Sequence, residues 1–167
     1  MGEQRNAHDG HCACGFVRYR MHGAPLFVHC CHCRWCQRES GSAFALNAMI
    51  ESDRVELRSG EVARVALPSH SGKGQTVLRC PRCQVALWSH YAGAGEAISF
   101  VRVGTLEAPD RVPPDIHIYT ESKQPWVVLP DGVAAVTAFY RASEHWPADS
   151  LKRRDALRAK QQQQQQQ

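Results

Sequence analysis

Eight cysteines constrain this chain more than any other feature. They fall into three groups: Cys12 and Cys14; Cys30, Cys31, Cys33 and Cys36; and Cys80 and Cys83. The polar opening MGEQRNAHDG carries no apolar leader, and no apolar run approaches the roughly 20 residues that span a bilayer. A cytoplasmic protein is therefore expected, with no membrane partner. In a reducing compartment such thiols serve as metal ligands or reactive groups rather than as a disulfide framework.

Zinc takes four ligands at tetrahedral angles, with thiolates at about 2.3 Å. The turn Cys80-Pro-Arg-Cys83 brings two sulfurs to one point. Cys12 and Cys14 do the same from an extended segment, since residues i and i+2 share a face. Joined, the two pairs close a four-thiolate structural site that staples distant segments, although two independent pairs also satisfy the spacing. In the central group, HCCHCRWC, an extended chain points Cys31 and Cys33 to one side and Cys30 and His32 to the other. The turn then returns Cys36. That leaves three thiolates and an open fourth position, the pattern of a catalytic zinc. A bulge at Cys30, or a histidine ligand, would instead close the site and make it inert. On the residues alone both readings stand.

The rest of the chain is mainly β. Short strand-like runs recur at Phe16 to Met21, Phe44 to Ile50, Arg54 to Gly60, Val62 to Leu67 and Gln75 to Cys80, and continue in VALWSHY, AISFVRV and DIHIYT. Gly, Pro, Ser and Asp clusters punctuate them. At 167 residues one domain is expected. The division reads as a flexible N-terminus over residues 1–9, a single zinc-binding domain over 10–146, a short basic C-terminal helix over 147–160 and a disordered glutamine extension over 161–167. The net charge of +4 sits largely in Lys152, Arg153, Arg154, Arg158 and Lys160. The near-neutral body lacks the clustered cations of a nucleic-acid face, so no nucleic-acid partner is expected. Oligomeric state is not legible.

The motifs together resemble the GFA family, which comprises glutathione-dependent formaldehyde-activating enzymes and centromere-protein-V-like zinc proteins. The resemblance rests on Cys12-x-Cys14-Gly15, on Cys31-His32-Cys33-x-x-Cys36, on Gly41-Ser-Ala-Phe44 and on Cys80-x-x-Cys83. It extends to His117-Ile118-Tyr119, Ser122-Lys123 and Pro125-Trp126, and covers about residues 10 to 133. It implies a β-tent-like fold of two packed antiparallel sheets held by two zinc ions per chain. Cys12, Cys14, Cys80 and Cys83 would hold the structural ion; Cys31, Cys33 and Cys36 would hold the second, with water or a substrate thiol as fourth ligand. Gln84 departs from the glycine usual after the last cysteine pair, and Cys30 is extra.

The expected reaction is that of a carbon–sulfur lyase acting on a small thiol–aldehyde adduct. Glutathione would be the co-substrate and S-hydroxymethylglutathione the adduct formed with formaldehyde. His117 is the expected proton-transfer group. Trp35 and Trp126 are expected to line the substrate pocket, Lys123 to meet glutathione carboxylates, and His32 to face solvent or orient the loop. The alternative is a non-catalytic zinc-stabilised β module that binds a protein partner, in the manner of the centromere-type relatives.

Overall fold

A computed structural model describes residues 7–165. Strands β1 (Ala7–His11), β2 (Arg18–His22) and β5 (Val55–Ser59) form a small antiparallel sheet in the order β1-β2-β5. A larger sheet contains β3 (Phe27–Cys31), β4 (Ala45–Glu51), β6 (Ala63–Leu67) and β7 (Gln75–Arg79). It is completed by β8 (Ala86–Tyr91), β9 (Ile98–Arg102), β10 (Ile116–Ile118) and β11 (Ala134–Ala135). Its order is β11-β10-β3-β4-β9-β8-β7-β6. The expected mainly-β, two-sheet architecture is present. One departure matters for the site: β10 lies parallel to both β3 and β11, while the other pairs are antiparallel.

Buried residues from both sheets form the main core, among them Tyr19 and Met21 of β2, Ala48 and Ile50 of β4, Leu87 of β8 and Val101 of β9. Burying a large apolar side chain contributes about 1.5–3 kcal/mol. Tyr19 also satisfies its hydroxyl on Thr105 Oγ1 at 2.6 Å and meets Trp88 edge-on. Gly10 is required here: a Cβ at that position would fall 2.4 Å from the Tyr19 ring. A second cluster gathers Leu26, Phe27, Cys31, Cys33, Met49, Ile116 and Ile118, with Tyr140 and Trp146 packed against it.

Helix α1 (Arg34–Ser40) follows β3, and α2 (Ala142–His145) leads into the long α3 (Ala148–Gln165). Two boundaries differ from expectation. Residues 7–9, assigned to a flexible N-terminus, belong to β1, where Asp9 takes two 2.7 Å bonds from the Arg20 guanidinium. The glutamine run is helical through Gln165, because glutamine is a good helix former and continues a helix already nucleated. The rest of those two assignments, residues 1–6 and 166–167, lies outside the described residues. Among the described residues no helix is long and apolar enough to cross a membrane.

Arg153 anchors α3 to the body. Its Nε and Nη2 donate to the Glu51 carboxylate at 2.8 and 2.5 Å, and its Nη1 to the Ala24 carbonyl at 2.9 Å. Burial pushes the Glu51 carboxyl up, but the bonds and charges of Arg153 and Arg54 outweigh it and leave the pKa below its ordinary 4.5. That stability is present above pH 4.5 and lost as pH falls through the lowered folded value. Arg153→Met is expected to cost about 1–3 kcal/mol in thermal unfolding at pH 7. It should also raise hydrogen exchange in α3, and both effects should shrink in acid.

Candidate metal centres

Cys12 follows β1 and Cys80 follows β7, so each cysteine pair sits on a turn at a strand end. Cys12, Cys14, Cys80 and Cys83 have sulfurs within 4.8 Å of one another. Cys12 Sγ lies 3.5 Å from Cys14 Sγ, and Cys14 Sγ lies 3.7 Å from Cys80 Sγ. Two thiolates on one tetrahedral zinc are separated by about 3.8 Å, so the donor set fits the ion. Backbone N–H groups of Val17, Arg82 and Cys83 point at the buried Cys12 and Cys80 sulfurs from 3.3 to 3.5 Å, as suits thiolates.

Gln84, in the place usual for glycine, takes a left-handed conformation with φ 63. Its amide donates to the Pro81 carbonyl at 2.9 Å, which offsets part of the strain. For an L-residue this conformation costs about 1–2 kcal/mol. Gln84→Gly is therefore expected to stabilise the protein by about 0.5–1 kcal/mol in chemical denaturation, with metal content unchanged.

The second centre straddles the join of β3 and α1. Cys31 ends the strand, Cys33 is the N-cap of the helix, and Cys36 sits in its first turn. Cys33 Sγ accepts from the Cys36 N–H at 3.4 Å. The three sulfurs lie within 4.8 Å of one another. Hydrogen bonds from the Cys31 and Cys36 thiols, then the N–H groups at the helix start, pull the Cys33 pKa down. The same sharing with Cys33, together with burial, pushes Cys31 up. Crowded thiols without a cation keep only one ionised; a dication removes that conflict and lets all three ionise. The donor set fits zinc with three protein ligands.

These thiols form one wall of a cavity of about 520 Å³. Trp35 lines it and is 39% exposed. His29 and Asn47, paired across β3 and β4, also face it. His29, which sequence reasoning did not single out, is held neutral by burial, its pKa lowered to about 3, and it shares a short hydrogen bond with the Tyr140 hydroxyl.

Cys30 faces the other way. Paired with Leu46 and His117, it occupies the opposite side of the sheet together with His32 and His117. His32 does not reach solvent: it is fully buried, its Nε2 3.6 Å from Cys30 Sγ and 2.9 Å from His117 Nδ1. Two nitrogens on one zinc would stand about 3.3 Å apart. The observed 2.9 Å is that of a hydrogen bond between neutral rings, and burial lowers both pKa values, His32 to about 4.

This arrangement corrects three expectations. His117 is not a cavity residue; the parallel register of β10 on β3 turns it to the Cys30 face, where it orders His32. Lys123 gives its ammonium to the carbonyls of Gln124 and Val127 and does not line the cavity. Trp126, 72% exposed on the loop that follows, does not line it either. In their place stands Tyr119. Tyr119 lines the cavity from a left-handed conformation, φ 54, with its ring 4.3 Å from that of His70. Gln37 is buried in α1. It donates to the carbonyls of His32 and Ser122 and accepts from Arg34 and Gln124, tying the metal loop to the turn after β10. The aromatic after His-Ile was visible in the sequence; Gln37 gave no signal.

The profile of the family described as glutathione-dependent formaldehyde-activating enzyme, GFA, matches residues 7–122. The chain belongs to the GFA family. All eight cysteines, His117 and Tyr119 lie within the GFA match; Trp126 and α3 lie beyond it. A search of curated proteins gives no match. A crystal structure of a Rhodobacter sphaeroides protein is similar at 16% identity with a TM-score of 0.46, covering 64% of this chain and 96% of that one.

Metal analysis checks the two-centre assignment. Cys30→Ser is expected to retain two zinc ions per chain. Cys31→Ser should retain one with the fold intact, whereas Cys12→Ser should lose one and melt at markedly lower temperature.

Proposed function

We propose that this chain is a zinc-dependent enzyme that makes or breaks the carbon–sulfur bond of a small thiol–aldehyde adduct. The family's own chemistry, formation or breakdown of S-hydroxymethylglutathione, is the model reaction. The observation that carries the reading is the convergence of three thiols on the wall of a partly open cavity large enough for a small molecule, with Cys30 on the opposite face. An ion serving stability alone has no use for such a space beside it.

Held by Cys31, Cys33 and Cys36, zinc would bind a thiol as its thiolate and hold it beside the aldehyde. In the forward direction sulfur attacks the carbonyl carbon, the C=O π bond opens, and the oxygen takes up one proton, balancing the one the thiol lost. In reverse the hydroxyl gives up that proton as the C–S bond breaks.

Tyr119 is suited to that proton. Burial, then the negative charge of Cys31, Cys33 and Cys36, raises its pKa, so the phenol stays protonated at neutral pH and can donate to the developing oxyanion. Its left-handed backbone costs about 1–2 kcal/mol and is retained beside the thiols, as strained residues at functional sites are. His29, neutral and already bonded to Tyr140, is poorly placed to exchange protons.

X-ray absorption at the zinc edge tests the reading. Seven protein sulfurs shared by two zinc ions should rise to eight on adding glutathione. Two saturated centres indifferent to any thiol would overturn it. Tyr119→Phe should keep both metals and lower turnover of the adduct about 10²–10⁴-fold.

A further inference from the structure

The cavity has a roof that the family match does not contain. Matched residues end at 122, yet Phe139, Trp146, Arg154, Leu157, Arg158 and Gln161 line the same space as the three thiols. The roof is fixed rather than draped. Arg153 holds α3 to Glu51, the Trp146 indole donates to the Tyr140 hydroxyl at 2.8 Å, and Trp146 stacks on Phe27 at 5.7 Å.

The lining has an uneven chemistry. Its inner walls are apolar, with Met49, Ile98, Phe100, Ile118, Trp146 and Leu157. Its charged members are Lys73, Arg154 and Arg158, and no aspartate or glutamate lines it. Arg154 bonds the solvent-exposed Asp155 carboxylate at 2.8 Å; Lys73 and Arg158 have no carboxylate partner among the described residues. Three thiolates on a dication carry net negative charge, so an anionic group of a bound thiol is repelled by the metal centre and drawn to the basic side chains of α3. Glutathione, with two carboxylates and two amides, would leave the apolar walls unmatched and its own polar groups unpaired.

We infer that the roof built by residues 139–161 selects, for the reaction proposed above, a thiol with an apolar middle and a carboxylate at its far end, received by Arg154 and Arg158. This inference rests on the thiol-binding reading of the three-cysteine centre, and the two can fail separately.

The test uses full-length protein loaded with cobalt(II), whose visible spectrum changes when a fourth sulfur joins the three-cysteine centre; a four-cysteine centre is saturated and contributes a constant background. Mercaptohexanoate, mercaptohexanol and glutathione are titrated in turn. Mercaptohexanoate should bind tightest. In the Arg154→Gln, Arg158→Gln double variant its affinity should fall about tenfold, while that of mercaptohexanol stays within about twofold. If the double variant does not fold, as judged by circular dichroism, the Arg158→Gln single variant, which removes no carboxylate pair, is read in the same way. Equal loss for acid and alcohol, no loss for either, or tighter binding of glutathione than of mercaptohexanoate would overturn the roof's role and leave thiol binding intact. No spectral change with any thiol would remove both.

Discussion

Side-chain alternation along β3 is the constraint on which the site depends. A strand sends successive residues to opposite faces. Phe27, His29 and Cys31 therefore go to one side, and Val28 and Cys30 to the other. Antiparallel pairing with β4 and parallel pairing with β10 fix that alternation from both edges, since a one-residue slip would turn every side chain over. Two adjacent cysteines acquire unrelated surroundings in this way. Cys31 joins Cys33 and Cys36 at the cavity, while Cys30 meets His32 and His117 in a buried hydrogen-bonded cluster. Burial pushes the Cys30 thiol up to about 12, so it stays neutral there.

Behind the cavity wall, polar side chains hold the metal loop in place. Glu39 of α1 takes bonds from Arg79 at 2.5 Å and from Arg102 at 3.0 Å, and Arg102 also reaches Asn47 and Ser89. Partly buried charges of this kind contribute little net stability against apolar replacements, but removing one partner is costly. Their effect is to give α1 one orientation on the sheet. Gln37 does the same on the other side of the helix, and Ser122 adds its hydroxyl to the His32 carbonyl at 3.0 Å.

Local spacing made the two cysteine clusters legible. A C-x-C or C-x-x-C pair brings its sulfurs together within a few bonds whatever the remainder of the chain does, and strand alternation separated Cys30 from Cys31 without knowledge of the partner strands. Most strands were visible as period-two runs. What failed was long-range. The face taken by His117 is set by its parallel pairing with Cys30 of β3, far back in the chain, which no local pattern announces. The cavity roof depends on an ion pair between Arg153 and Glu51, 102 positions apart, on a helix whose basic composition reads as a solvated face. The glutamines read as disorder on composition alone, although their propensity favours continuing an anchored helix.

The position of Gln161 on α3 has a consequence for the glutamine run itself. Gln161 is the last residue of the helix to line the cavity, and Gln162 to Gln164 are exposed. Adding or deleting a glutamine within the exposed stretch Gln162 to Gln164 changes only the length of a solvent-facing helical segment, by about 1.5 Å per residue. A tract whose length drifts there would leave the chemistry beneath it untouched.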